Sequence, residues 1–274
     1  MSHRFIAAAC AVAAIALLPA GASAAGTGAI HPGVQTFTDG AQCTANFIYS
    51  DGANTYIGQA AHCSGTGGNT ATDGCTSGTL PVGTQVQVTG ANNPGVMVYN
   101  SWATMQANGE SDADTCAYND IALIRLDPAD AANVDPTVPG WGGPTGVASL
   151  PAAAGSKVYT YGNSELRGGV TQLSPKTGVV VDQQPSGWST DVYTASPGIP
   201  GDSGSGFMTD SGAAAGILST VQLAPLAGSN GVGDLPRELN YMHSHGGPNA
   251  TVVNGTKPFQ PSLTAAVVGI SSPL

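Results

Sequence analysis

Polar and apolar positions alternate over several short stretches of this chain. Residues 84–89 (TQVQVT) alternate strictly, as a strand with one face on a core does. Residues 45–50 and 55–60 are rich in Tyr, Phe, Ile and Thr, and Asp51-Gly52 between them is a hairpin signal, because glycine takes up the positive φ such a turn needs. Residues 121–126 (IALIRL) form a continuous apolar run stopped by Asp127-Pro128. Residues 157–161, 178–181, 191–194, 206–209 and 215–220 are further short strand candidates. One stretch follows a helical period instead. Asp234 is its N-cap, Leu235, Leu239 and Met242 fall on one face, and Pro236 lies in the first turn, where its missing N–H is tolerated. Many short strands between turn signals predict an all-β sandwich or barrel. Residues 127–151 are rich in Pro, Ala and Gly without periodicity and are expected to link two halves of similar size. After Gly246 the chain is polar and turn-rich except for an apolar patch at 265–270, and its pattern predicts no element.

The first residues read differently. Ser2-His3-Arg4 is a short positive segment, residues 5–18 are Ala-rich and apolar, and Ala22-Ser23-Ala24 has the small-x-small form that signal peptidase accepts. The run is shorter than the ~20 residues that span a bilayer. Residues 1–24 are therefore expected to be a signal peptide cleaved after Ala24, leaving a secreted, extracellular protein with no membrane partner. Cys10 leaves with that segment. The remaining Cys43, Cys63, Cys75 and Cys116 form an even set, which in an exported chain suggests two disulfides with three possible pairings. Only 9% of the 274 residues are charged and the net charge is −10. That balance excludes a coiled coil or a disordered acidic chain, and it argues against a nucleic-acid partner, whose phosphates need Lys and Arg.

Three motifs carry candidate chemistry, in the order His, Asp, Ser. Gln59-Ala60-Ala61-His62-Cys63 closes a predicted strand, Asn119-Asp120 opens the run at 121–126, and Pro200-Gly201-Asp202-Ser203-Gly204-Ser205-Gly206 places a serine in a glycine-rich turn. A serine hydroxyl is a poor nucleophile without an adjacent base. Histidine suits that task near neutral pH, and a carboxylate holds its tautomer and stabilises the imidazolium. Glycines beside the serine let backbone N–H groups converge on a developing oxyanion.

With A-A-H-C at residues 60–63, N-D-I-A-L at 119–123, G-D-S-G at 201–204 and G-I-L-S at 216–219, the chain resembles the trypsin- and chymotrypsin-like serine proteases, in particular their secreted bacterial members. Each motif alone is weak; together, in the family's order on an all-β pattern, they are specific. The resemblance implies two antiparallel six-stranded β-barrels with a short C-terminal helix, and a monomeric serine endopeptidase acting on proteins or peptides without cofactor or metal. It implies residues 25–135 as the N-terminal barrel, 136–245 as the C-terminal barrel and 246–274 as a tail. His62 would be the general base and acid, Asp120 its orienting carboxylate and Ser203 the nucleophile. Backbone N–H groups of Gly201 and Ser203 would form the oxyanion hole, and Ser219 would support Asp120 and present backbone to substrate. It also implies a Cys43–Cys63 disulfide beside the histidine, which leaves Cys75 with Cys116.

Departures from the family pattern sharpen the expectations. Ser205 stands where the family has a second glycine, and no Ile-Val-Gly-Gly amino terminus is present to pair with Asp202. Arg167 is expected to take that place, as an internal arginine does in some bacterial relatives. Pro197 stands six residues before Ser203 and Val221 two after Ser219. Those two residues imply a narrowed pocket that prefers small or medium apolar side chains before the scissile bond. The acidic run at 110–114 is read as a solvated loop rather than a calcium site, His243 and His245 as solvent-facing, and Trp102, Trp141 and Trp188 as packing residues. Two alternatives stand beside this reading. One is a catalytically inactive secreted protease-fold binding protein. The other is an α/β-hydrolase esterase using Ser203, Asp234 and His243 or His245, which the absence of alternating strands and long helices disfavours.

Overall fold

A computed structural model of the protein describes residues 28–68, 72–222 and 228–261. The predicted signal peptide and the apolar patch at 265–270 lie outside the described residues. The first half contains β1 (Gln35–Thr38), β2 (Ala41–Thr44), β3 (Ile48–Ser50), β4 (Thr55–Ala60), β5 (Gln85–Val88), β6 (Gly95–Asn100), α1 (Ser101–Asn108), α2 (Ala113–Tyr118) and β7 (Ile121–Arg125). The second contains β8 (Lys157–Tyr161), β9 (Pro175–Gln183), β10 (Ser189–Thr194), β11 (Gly206–Thr209), β12 (Ala214–Gln222), β13 (Ser229–Asp234) and α3 (Leu235–Ser244), followed by β14 (Thr251–Val252).

Strands β10-β13-β12-β11-β8-β9 close into an antiparallel six-stranded barrel. Its interior is filled by Val158, Val180, Val192, Phe207, Leu218 and Val232. The first half is an eight-stranded antiparallel sheet ordered β14-β3-β4-β7-β6-β5-β1-β2. Its two ends are drawn together because β2 and β3 are one stretch of chain. Ala45 N–H donates to Val34 O beyond β2, and Asn46 N–H donates to Gly58 O on β4. Strands β1 to β7 thus wrap an Ile- and Val-rich interior that includes Ile48, Ile57, Met97 and Ile124. The eighth, β14, is an addition from the tail, pairing Thr251 with Ser50 and Val252 with Tyr49. A third cluster lies between the halves and includes Phe47, Leu123, Trp141, Met208, Ile217 and Leu239.

Local chemistry accounts for most of the elements. In the β3–β4 hairpin the Asp51 carboxylate accepts Ala53 N–H and Asn54 N–H and the Tyr56 hydroxyl, with Gly52 at φ +88°. At α3, Asp234 accepts Arg237 N–H at 3.0 Å, and Leu235, Leu239 and Met242 are buried as the period predicts. Two helices depart from the expectation of a single one. Helix α1 is capped by Asn100, which accepts Ala103 N–H at 3.1 Å, and ends on Gly109 at φ +65°. Helix α2 is capped by Asp112, which accepts Thr115 N–H at 2.8 Å. Both have eight residues or fewer, too short for a period to show. Within the acidic run at 110–114, Asp112 is thus a helix cap, and Glu110 accepts the Ser111 and Asp112 N–H groups of the exposed loop before it. Cys75–Cys116 ties the preceding loop to α2, and Cys43–Cys63 joins β2 to the turn after β4. Among the described residues no helix is long and apolar enough to cross a membrane.

Candidate active site

His62 sits in the single 3-10 turn Ala61–Ser64 that ends β4, and Asp120 immediately precedes β7. Strands β4 and β7 pair antiparallel with Ala60 opposite Ile121, so residues 58 positions apart become neighbours. Asp120 then meets His62 twice: Oδ1 accepts the His62 backbone N–H at 2.8 Å, and Oδ2 accepts Nδ1–H at 2.6 Å. Ser219 on β12 donates its hydroxyl to the same Oδ2 at 2.5 Å. The carboxylate is buried, whereas the His62 side chain keeps 25% of its surface exposed. Burial pulls the imidazole pKa down, but the Asp120 charge and its hydrogen bond together outweigh that effect. His62 consequently titrates above the ordinary 6.5. With its proton on Nδ1 held by Asp120, the ring presents Nε2 as an acceptor.

Behind Asp120 stands a residue absent from the sequence-based list. Glu238 on α3 is fully buried, and its Oε1 accepts the Asp120 backbone N–H at 3.0 Å. Its Oε2 has no partner among the described residues. Burial, reinforced by the charges of Asp120 and Asp234, raises its carboxyl well above the ordinary 4.5. Its helical position beside Leu239 suggested an amphipathic face, with nothing in the sequence pointing at Asp120.

Ser203 lies in the turn before β11, at the seam of the two halves. Its carbonyl accepts Thr44 N–H from β2 at 2.9 Å. The next residue must be glycine: Gly204 has φ +85°, and a Cβ there would lie 2.7 Å from Thr44 O and 2.8 Å from Ala60 N. Ser205 is buried, so Ser203 is the serine of this turn that borders the groove. Among the described residues neither Gly201 N–H nor Ser203 N–H donates to a protein acceptor. Two free donors in a groove suit a developing negative oxygen.

Asp202 is completely buried. Its Oδ2 is paired with Arg167, as expected, and also with Lys176 Nζ at 2.7 Å. Both cations are themselves buried, which is why a carboxylate can be accommodated there. Burial lowers the Lys176 pKa, and Asp202 opposes that shift. Lys176 was one of only seven basic residues in the chain, a signal that composition alone offered.

His62, Asp120, Ser203, Ser219 and Val221 all border one groove of about 650 Å³. Trp102 also borders it, with its ring 6.4 Å from that of His62, so this tryptophan packs and lines the site at once. Val221 is 48% exposed toward the groove, near Gly198 and Leu218. Pro197 is exposed and does not line the groove; its carbonyl accepts Lys176 Nζ at 3.3 Å. His243 Nε2 meets Ala250 O at 3.0 Å, and His245 stacks on Tyr241 with centroids 3.8 Å apart. His243 is exposed, as expected, His245 is half-buried against Tyr241, and neither borders the groove.

No protein-family model and no curated protein matches this sequence. Solved structures do. The chain is similar to Thermobifida fusca Protease A, with TM-score 0.52 and 18% identity over 82% of this chain and 99% of that one. It is similar to a glutamic acid-specific serine protease that uses a histidine triad in substrate binding, with TM-score 0.51 and 19% identity over 82% of this chain and 100% of the other. A Glu endopeptidase solved in complex with MPD gives TM-score 0.51 and 17% identity, over 78% and 89% of the two chains. At these identities the likeness is one of fold. The protein has the chymotrypsin-like fold.

Proposed function

We propose that the protein is a secreted serine endopeptidase acting through His62, Asp120 and Ser203. The observation that carries this reading is the double contact of Asp120 with His62, at 2.8 and 2.6 Å, in a groove that Ser203 shares. On the Ser-His-Asp template, Ser203 Oγ attacks the scissile carbonyl while His62 Nε2 takes its proton. The tetrahedral oxyanion rests on Gly201 and Ser203 N–H. His62 then protonates the leaving amine, the acyl-enzyme remains on Ser203, and water activated by the same imidazole releases the acid. No step uses a cofactor or metal.

Val221, Leu218, Ile199 and Gly198 put apolar surface into the groove that Ser203 also borders. That lining supports a small or medium apolar side chain before the scissile bond. Two disulfides and the leader-like segment at residues 1–24 support export to an oxidising compartment.

The test is covalent labelling with a fluorophosphonate probe on wild type, Ser203→Ala and Ser205→Ala. Labelling abolished in Ser203→Ala and retained in Ser205→Ala is the expected result. An intact, folded wild type that neither labels nor cleaves peptides would overturn the proposal in favour of a non-catalytic binding protein.

A further inference from the structure

The free Gly201 N–H depends on the orientation of one peptide plane. In a trans peptide the carbonyl and the N–H point to opposite sides, and the Pro200–Gly201 bond is trans. Whichever group holds the Pro200 carbonyl therefore decides where Gly201 N–H points. That group is the Ser164 hydroxyl, which donates to Pro200 O at 2.5 Å.

Ser164 is itself fixed from several sides. Its backbone N–H donates to Asp202 Oδ1 at 3.2 Å, and its Oγ accepts Leu166 N–H at 3.1 Å, capping the short turn Glu165–Arg167. It is 2% exposed. The adjacent Gly201 carbonyl is held on two further points, by Thr44 Oγ1 at 2.7 Å and Gln42 Nε2 at 3.1 Å. Gln42 Oε1 in turn accepts Glu165 N–H at 3.0 Å, linking the β2 segment to the same turn. At Gly201, with φ +94°, a Cβ would lie 2.1 Å from Gln42 Oε1 and 2.9 Å from Ser164 Oγ. The clamp closes tightly enough to require glycine there.

We propose that Ser164 is a positioning residue whose hydroxyl, bound to the Pro200 carbonyl, holds Gly201 N–H turned into the groove beside Ser203 N–H. The role in turnover rests on the endopeptidase reading; the peptide orientation does not. Removing the hydroxyl frees the plane to rotate and withdraws one anion donor, and loss of one such donor costs about 100- to 1,000-fold in kcat. Rotation leaves part of the population competent, so the effect falls below that range.

Kinetics on Ser164→Ala and Ser164→Thr with a peptide amide substrate test the idea. The expected result is a fall in kcat of about 10- to 100-fold for Ser164→Ala with KM within twofold, and recovery in Ser164→Thr, which keeps a hydroxyl. Unchanged kcat in folded Ser164→Ala overturns the proposal, as does an equal loss in Ser164→Thr. Should Ser164→Ala not fold, Gln42→Met removes two of the clamp's bonds from a half-buried position and is expected to lower kcat in the same direction; no change there overturns the proposal. The second measurement is independent of turnover. Amide exchange of 15N-labelled Gly201 is expected to slow in Ser164→Ala as its N–H leaves the groove, with Ser203 unaffected. An unaltered Gly201 amide sinks the clamp. A wild type without any turnover sinks the endopeptidase reading instead, and the amide measurement still judges the clamp.

Discussion

Asp120 Oδ2 accepts both His62 Nδ1–H and the Ser219 hydroxyl, and that shared oxygen governs how the site responds to pH. On the proposed endopeptidase reading, general-base action needs neutral His62, so activity is expected to fall below its pKa. That pKa is raised above 6.5 by Asp120 against the opposing pull of burial. The acid limb of kcat/KM is accordingly expected above pH 6.5 in the wild type. In Asp120→Asn only the burial effect remains, and the limb should move to lower pH. The same change should cut kcat by about 10,000-fold, because asparagine favours the wrong tautomer. A pH–rate profile of both proteins checks this; a limb that stays in place contradicts it. His62, Asp120 and Ser203 were legible in the sequence because each sits in a short contiguous motif. Lys176, Ser164, Gln42 and Glu238 were not, since each acts across the fold on a residue far away in the chain.

Helix α3 shows an element doing more than its amphipathic pattern announces. Its cap and apolar face were readable from Asp234, Leu235, Leu239 and Met242, yet it also inserts Glu238 behind β7. The carboxyl stays protonated in the folded protein well above 4.5, whereas the unfolded chain releases its proton near that value. Between those two pKa values the native state holds the extra proton, so stability falls as pH rises, by about 1.4 kcal/mol per unit at most. Glu238→Gln keeps an oxygen for Asp120 N–H and removes this dependence. Urea unfolding at pH 5 and pH 8 should show the variant gaining on the wild type at the higher pH; parallel stabilities would refute it. Strand β1 is an element the sequence concealed. Its inward residues are Thr36 and Thr38, both buried, so the core-facing positions carry hydroxyls and the alternation of hydropathy is lost. Strand β13 (SNGVGD) is buried along its whole length for a similar reason: its glycines make room, as Gly233 does against Glu238.

Across the whole molecule, the residues after α3 fasten the two halves together. Strand β14 extends the first sheet, Gly143 N–H donates to Lys257 O, and Phe259 meets Tyr159 edge-on at 5.2 Å. Tyr159 also packs against Trp141 from the interdomain segment, at 5.1 Å. The stretch read as a simple linker thus carries one of the largest buried side chains in the protein. Phe259→Ala should lower stability by about 2 kcal/mol, less than the ~3–5 of a fully buried phenylalanine because this ring is half-buried. It should leave kcat unchanged, since Phe259 does not border the groove. Denaturant midpoints and steady-state kinetics together check both halves of that expectation.

Local features were readable from the sequence: short alternating strands, turn residues with their positive φ, the cap of α3, and the three motifs that carry His62, Asp120 and Ser203. Each depends on neighbours within a few residues, so periodicity and composition suffice to read it. Tertiary structure alone decided that Lys176 joins Arg167 at Asp202, which hydroxyl holds the Pro200 carbonyl, and where residues 251–261 return. Those contacts join residues from 26 to well over 100 positions apart. Burial makes them matter, because a charge or peptide group removed from water must find a partner wherever the fold supplies one.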